Sequence, residues 1–252
     1  MKSIRILLLV LVLALFTVIG YSGTQLWNIH QNNVQEAEIH NRLLQYKPTQ
    51  QMTSSGEHSD EGIAFMPHVN QSIVDLQTAH LDAVGWLTVP NTQIDYPFVQ
   101  SVDNDTYLYL DLDQRPSAAG TIFMDYRNSS EFADFNTILY GHHMRSGSMF
   151  GTLQQFNTRS FFEENKRGTI FLANKTYEIE FMAFVVIAPN DMVIYNPVIT
   201  EEADKLAFLD HVRDIARYYR DIDATTSDRI VTLSTCNYEF NDARMVLIGR
   251  LI

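Results

Sequence analysis

The chain is short of cysteine and of basic residues, and each shortage removes a class of protein. One cysteine among 252 residues cannot build an intramolecular disulfide framework, so the fold has to rest on a hydrophobic core. That single thiol is intermolecular, inert in the interior, or reactive. Lys and Arg number 18 against 30 Asp and Glu, for a formal net charge of −12. This balance argues against nucleic acid as a partner, because phosphate binding needs clustered cations. No glycine-rich phosphate loop, no His-Glu-x-x-His zinc motif and no internal repeat is present. Only one apolar run is long enough to approach the thickness of a bilayer.

What is there points to a folded domain. Hydrophobic residues make up 46% of the chain and aromatics 12%, enough for a sizeable core and too much for a disordered protein. The length suits one globular domain with an added anchor or arm. The apolar run Ile6–Tyr21 follows Lys2 and Arg5, and no further Lys or Arg appears until Arg42. Residues 1–25 are therefore read as a cytoplasmic tail and transmembrane signal-anchor, with everything beyond facing outward. Gly20, Ser22 and Gly23 are small enough to permit cleavage, but no Ala-x-Ala site follows, and the retained anchor is the favoured reading.

Residues 26–68 read as an extracytoplasmic helix followed by a polar linker. Leu26, Val34, Ala37, Leu43 and Leu44 form a helical stripe, and Pro48 opens the polar stretch Thr49–Gly62. Residues 69–252 read as the catalytic domain. A short helix is predicted over Val69–Ala83, then a change to brief β-rich runs. A hairpin is predicted from Gly85 to Gln100, with Pro90 and Pro97 marking edge strands. Further strands are predicted at Thr121–Met124, Thr137–Tyr140, Thr169–Leu172, Tyr177–Ala188, Arg229–Ser234 and Met245–Leu251. Helices are predicted at Asp105–Leu110, Met149–Phe156, Ser160–Asn165 and Glu201–Arg220, the last with Leu206, Leu209, Val212, Ile215, Ala216 and Tyr219 on one face. The fold class is mainly β with helices, a closed or nearly closed barrel.

Two segments carry chemistry. The strand ending in Ser234-Thr235-Cys236 turns and returns from Arg244, which brings a thiol and a guanidinium to the same end of a strand pair. A cation there favours thiolate or holds an oxyanion; equally, Cys236 is a small core residue and Arg244 a solvated strand end. The run Tyr140-Gly141-His142-His143-Met144 ends a second strand in two histidines, the side chain suited to proton transfer near neutral pH. Adjacent histidines with no further ligand at suitable spacing disfavour a metal, and no cofactor is expected. An activated-cysteine enzyme, a simple hydrolytic peptidase and a non-enzymatic surface binding protein all remain open on these residues.

Thr232-Leu-Ser-Thr-Cys236 resembles the signature around the catalytic cysteine of the sortases. Tyr140-Gly-His142-His143-Met144 resembles the catalytic-histidine segment of class B sortases. Gly120–Asn128, Gly147–Phe150 and Gly85-Trp86-Leu87 add to the likeness, in order, from about residue 70 to the C-terminus. The resemblance implies an eight-stranded β-barrel with N-terminal helices and a long helix between strands six and seven. It implies a cysteine transpeptidase that cleaves an NPQTN-like C-terminal sorting signal after Thr, through a thioester at Cys236. The acyl group would pass to an amine of the peptidoglycan precursor lipid II, or to a pilin lysine. It makes His142 the acid/base and Arg244 the oxyanion cation, with Arg229 and Arg250 as the other cations on the strand pair. Tyr140, Ser234 and Thr235 would line the pocket, and Asn104 and Leu108 would contact substrate. Asn237 stands where relatives often carry an acid, and a loop around Met192–Tyr195 is expected to supply a hydrophobic wall.

Overall fold

A computed structural model describes residues 2–49, 69–236 and 243–252; for Cys236 it describes the backbone. Most of the predicted linker, the position of Asn237 and the tip of the loop before Arg244 lie outside the described residues. The chain divides into two units, Met1–Arg42 and Leu43–Ile252.

The first unit is one helix, α1 (Lys2–Leu43). The apolar run and the helical stripe beyond residue 26 are continuous, because no proline interrupts the hydrogen-bond ladder. Its apolar side chains from Ile4 to Ile29 are exposed. Among the described residues it is the one helix long and apolar enough to cross a membrane.

Among its described residues the second unit is built on nine strands. These are β1 (Ala83–Thr88), β2 (Asp95–Gln100), β3 (Ile122–Met124), β4 (Asn136–His142), β5 (Arg167–Phe171), β6 (Thr176–Ile187), β7 (Tyr218–Tyr219), β8 (Ile230–Cys236) and β9 (Arg244–Leu251). Pairing runs β5-β1-β2-β3-β4-β8-β9-β6, and β5 pairs again with β6. Eight strands therefore close on themselves, as the family resemblance implied, and β7 flanks β6 outside the ring. Helices α2 (Gln71–Ala79), α3 (Arg159–Glu164) and α4 (Glu202–Ile215) decorate the barrel.

Alternation along the strands explains why so much of the sequence is apolar. On β8, Val231 and Leu233 join the interior cluster with Leu87, Phe98, Leu139 and Leu247. Ile230, with Val246 and Ile248 of β9, joins an outer cluster under Phe208, Leu209 and Val212 of α4. Strands covered on both faces read as continuous hydrophobic runs. This outer face also carries the polar residues of the site.

Four expectations are corrected. The helix predicted to reach Arg220 ends at Ile215, and Tyr218 and Tyr219 pair with Phe184 and Ala183 instead; the exposed edge of β6 offers two aromatics more than another helical turn would. Leu206, placed on the apolar face, is exposed because α4 buries Phe208, Leu209 and Val212. The segments read as helices at 105–110 and 149–156 are 3₁₀ turns, Thr106–Leu108 and Gly151–Asn157. Pro97 sits in β2, which has neighbours on both sides. The β3 ladder begins only at Phe98, so the missing N–H of Pro97 falls where its strand is still unpaired on that side.

The seam that closes the barrel depends on a glycine. A Cβ on Gly85 would lie 2.4 Å from the carbonyl oxygen of Phe171, beside the three-residue ladder between β1 and β5. Gly85→Ala should therefore destabilise the barrel by about 1–3 kcal/mol. A lower urea midpoint with an unchanged m-value would show it; an unchanged midpoint would mean that the seam adjusts.

Candidate active site

The site is assembled at the end where β4 and β8 finish together. The two strands are parallel and keep register over seven pairs, from Asn136↔Ile230 to His142↔Cys236. β9 runs antiparallel to β8, with Ser234 opposite Val246; two residues further along, that register sets Arg244 across from residue 236. Neighbouring strands lie about 4.8 Å apart. The backbones of residues 142, 236 and 244 therefore stand in one row across three strands. Arg244 Nη1 donates to the carbonyl of Thr235 at 3.5 Å, a long hydrogen bond. Arg250 pairs with Glu180 at 2.7 Å, and Arg229 donates to the hydroxyl of Tyr177 at 2.6 Å. Both belong to the far end of these strands, so Arg244 is the arginine of this pair at the residue 236 end.

The imidazole of His142 is fixed by main chain. Its Nε2 lies 2.6 Å from the carbonyl oxygen of Leu108. A carbonyl only accepts, so Nε2 carries the proton and donates it. Two glycines make this possible. A Cβ on Gly141 would come within 2.8 Å of the ring of Phe150, whose amide donates to the carbonyl of His142 at 2.9 Å. Gly120, at φ +60, packs so tightly under the 106–108 turn that a Cβ would lie 2.5 Å from the Leu108 oxygen and 2.6 Å from that of Tyr107. The turn is also tied down by Tyr107, whose hydroxyl donates to Asp82 at 2.6 Å. Burial, and the nearby Asp82 carboxylate, push that phenol well above its ordinary pKa. The ring of Tyr109 flanks His142 at 6.1 Å between centroids.

Beside the row stands an aromatic and hydroxyl wall. Tyr140 stacks on Tyr195 with centroids 6.3 Å apart and planes 25° from parallel. The hydroxyl of Tyr195 shares a hydrogen bond of 2.9 Å with Ser234, and that of Tyr140 donates to Asp125 at 3.1 Å. Asp125 is fully buried and also accepts from Asn104 at 3.0 Å and from Arg127 at 2.9 and 2.8 Å. Burial works against its ionisation, but hydrogen bonds from Arg127 and Asn104 outweigh it and hold the carboxyl below 3.8.

The structure thus brings Tyr140, His142, Ser234, Arg244 and the backbone of Cys236 together on one end and face. Thr235 is the alternate side chain on β8; it is fully buried and its hydroxyl accepts from the Met245 amide at 3.0 Å. Leu108 is buried, and its carbonyl is the part that reaches His142. Asn104 spends its amide on Asp125 and on the Tyr126 N–H at 3.1 Å.

Residues 87–252 match the Sortase domain family. The chain is 38% identical over 186 residues to Sortase B of Listeria monocytogenes, covering 73% of this chain and 75% of that protein. The chain belongs to the sortase family, in class B. The structure of sortase B from B. anthracis superposes with a TM-score of 0.75 at 29% identity, over 88% of this chain and 99% of the other. The Staphylococcus aureus sortase B–substrate complex gives 0.75 at 27% identity, over 88% and 98%. The enzyme is a sortase cysteine transpeptidase, which removes the hydrolytic-peptidase and binding-protein readings as first choices.

Sequence reasoning about this sortase missed three residues. Asp125 and Gly120 lie inside Gly120–Asn128, where the likeness to the family assigns no role to a single residue. Tyr195 lies inside the loop expected to form a hydrophobic wall, and the sequence marks no one residue of that loop. The structural signal, a buried carboxylate receiving five donors, has no periodicity in sequence.

The depressed pKa of Asp125 has a direct consequence for stability. A carboxyl whose pKa is lower folded than unfolded stabilises the fold above the unfolded value and loses that contribution as pH falls through the folded one. Wild type should therefore lose stability below 3.8, and Asp125→Asn should respond less steeply over the same range. Urea midpoints collected from neutral pH down through that range test this; parallel curves for the two proteins would assign the acid sensitivity elsewhere.

Proposed function

We propose that this sortase is held in the membrane by residues 1–25, carries an extracytoplasmic helix and linker over 26–68, and acts through residues 69–252 on secreted proteins bearing an NPQTN-like sorting signal. Cys236 is the nucleophile, His142 the acid/base and Arg244 the oxyanion cation. The row of residues 142, 236 and 244 across three adjacent strands is the observation that supports this reading. The catalytic domain faces outward and the N-terminus stays in the cytoplasm, in line with the positive charges before the apolar run.

A thiol of ordinary pKa near 8.5 is only a few per cent ionised at neutral pH. His142 takes the Cys236 proton on Nδ1, since Nε2–H is engaged by Leu108. The thiolate attacks the carbonyl carbon of the signal's Thr, and Arg244 steadies the negative oxygen of the tetrahedral intermediate. Collapse breaks the C–N bond, and His142 returns its proton to the departing amine. The resulting thioester then meets an incoming amine from lipid II or a pilin lysine. His142 removes a proton from that amine as the new amide forms and gives it to the Cys236 sulfur as it leaves. Tyr140, Ser234 and the Tyr195 ring form the wall against which the signal lies, and Asn104 and the 106–108 turn complete the signal site.

Incubating the soluble domain with a set of sorting-signal peptides and weighing it should reveal one acyl group added at Cys236. Cys236→Ala should abolish both adduct and turnover while leaving thermal unfolding unchanged. His142→Ala should lower kcat by about 10²–10⁴. His143→Ala should be far milder, since that ring faces Gln154 at 3.2 Å; the reverse order would exchange their roles. Arg244→Lys should cost on the order of 10²–10³, because an ammonium does not reproduce the planar fork, and a wild-type rate would remove Arg244 from the mechanism.

A further inference from the structure

The loop between β6 and α4 carries Tyr195, and side chains of the barrel grip it at three successive carbonyls. Asn136 Nδ2 donates to the carbonyls of Ile194 at 3.0 Å and Asn196 at 2.9 Å. Arg127 Nη2 donates to the one between them, Tyr195, at 3.3 Å. Asn136 is fully buried and registered on β4, with its own oxygen accepting from Thr232 at 2.8 Å. Arg127 is different: its side chain is 39% exposed and lies in the turn after β3. Without a partner to aim it, its guanidinium would be free to swing into solvent.

Asp125 is that partner. Its Oδ1 accepts from the amide of Arg127 at 3.0 Å and from Nε at 2.9 Å. Its Oδ2 accepts from Arg127 Nη2 at 2.8 Å, Asn104 Nδ2 at 3.0 Å and Tyr140 Oη at 3.1 Å. Five donors on two oxygens require an ionised carboxylate, since a carboxamide would turn an NH₂ toward one set of donors. One buried charge therefore holds the hydroxyl end of Tyr140 on β4 and, through Arg127, the backbone of Tyr195 on the loop. Those two rings stack on each other, and Tyr195 reaches on to Ser234.

We infer that Asp125, acting through Arg127, is a positioning residue of the transpeptidase that fixes the Tyr140–Tyr195–Ser234 wall and thereby the fit of the sorting signal, without touching substrate. This rests on the proposed role of that wall as the signal groove. A carboxylate serving only the fold would act on stability alone. A positioning carboxylate acts on the signal's binding and orientation, and leaves the reactivity of the thiol toward small reagents unchanged.

The test uses the soluble domain as wild type, Asp125→Asn and the milder Arg127→Lys, which keeps the charge but loses the fork and stands in if the first variant does not fold. Without substrate, hydrogen exchange should quicken at amides 191–196 in both variants while the amides of β4 and β8 stay protected. With a sorting-signal peptide, KM should rise about ten- to a hundredfold, the scale of a misplaced contact, and more than kcat falls. Alkylation of Cys236 by iodoacetamide should match wild type. Unchanged exchange at 191–196 overturns the inference whatever the peptide result. Unchanged KM, or losses in KM, kcat and alkylation that simply follow thermal stability, also overturns it. If wild type forms no acyl adduct with any signal peptide, the functional reading fails, and the exchange result still decides whether Asp125 holds the wall.

Discussion

Everything at this site depends on the parallel ladder between β4 and β8. A hairpin brings residues together because a turn lies between them; parallel strands have no such help and must be registered by their side chains. A slip of one residue would turn Tyr140 and Ser234 into the barrel and Leu139 and Leu233 out of it. Two kinds of contact oppose that slip. Leu139 and Leu233 pack in the interior cluster, and on the outer face Asn136 and Thr232 share a fully buried hydrogen bond of 2.8 Å. A buried amide tolerates displacement poorly, because each partner it loses leaves a desolvated polar group. Asn136 therefore sets the register and, through its other hydrogen bonds, one grip on the β6–α4 loop.

The two faces of the same strands do different work. The interior is hydrocarbon, and its fit determines that the barrel closes. The outer face changes along its length, from apolar packing under α4 to a polar network at the end where β4 and β8 stop. Polar groups are costly to bury unless fully partnered, and here they are partnered in chains: Asn104, Asp125 and Tyr140; Arg127 and Tyr195; Tyr195 and Ser234. Such chains are stiff because removing one member strands the next. Stiffness near a nucleophile is useful, since the geometry of an acyl transfer depends on small displacements.

The architecture was legible in the sequence where local signals were strong. Eight of the nine strands coincide with β-rich runs, and the apolar content of β6, β8 and β9 reflects burial on both faces. The miss at Tyr218–Tyr219 came from reading helical spacing where the bare edge of β6 decides the outcome. Pro97 misled because a proline excludes only the pairing on its own N–H side. Cys236, His142 and Arg244 could be picked out as strand-end residues, but their shared row is a property of register, which no single segment encodes. Gly120 and Asp125 were opaque for a related reason. Each reaches groups distant in sequence: Gly120 by making room for the Leu108 carbonyl, Asp125 by adding Asn104 and Tyr140 to its neighbour Arg127.

The orientation of His142 by a carbonyl, where many cysteine and serine enzymes use a carboxylate or amide side chain, has a physical logic. A carboxylate beside an imidazole fixes its tautomer and adds a full negative charge that favours imidazolium. A carbonyl fixes the tautomer with a dipole alone. The acid/base role proposed for His142 asks the ring both to give and to take a proton within one cycle, once to release the leaving amine and once to activate the incoming one. A neutral acceptor orients the ring without placing a second charge at that nitrogen. Because the acceptor is main chain, it is protected from side-chain substitution at Leu108, and its position is instead controlled by the tight packing of Gly120 beneath the turn.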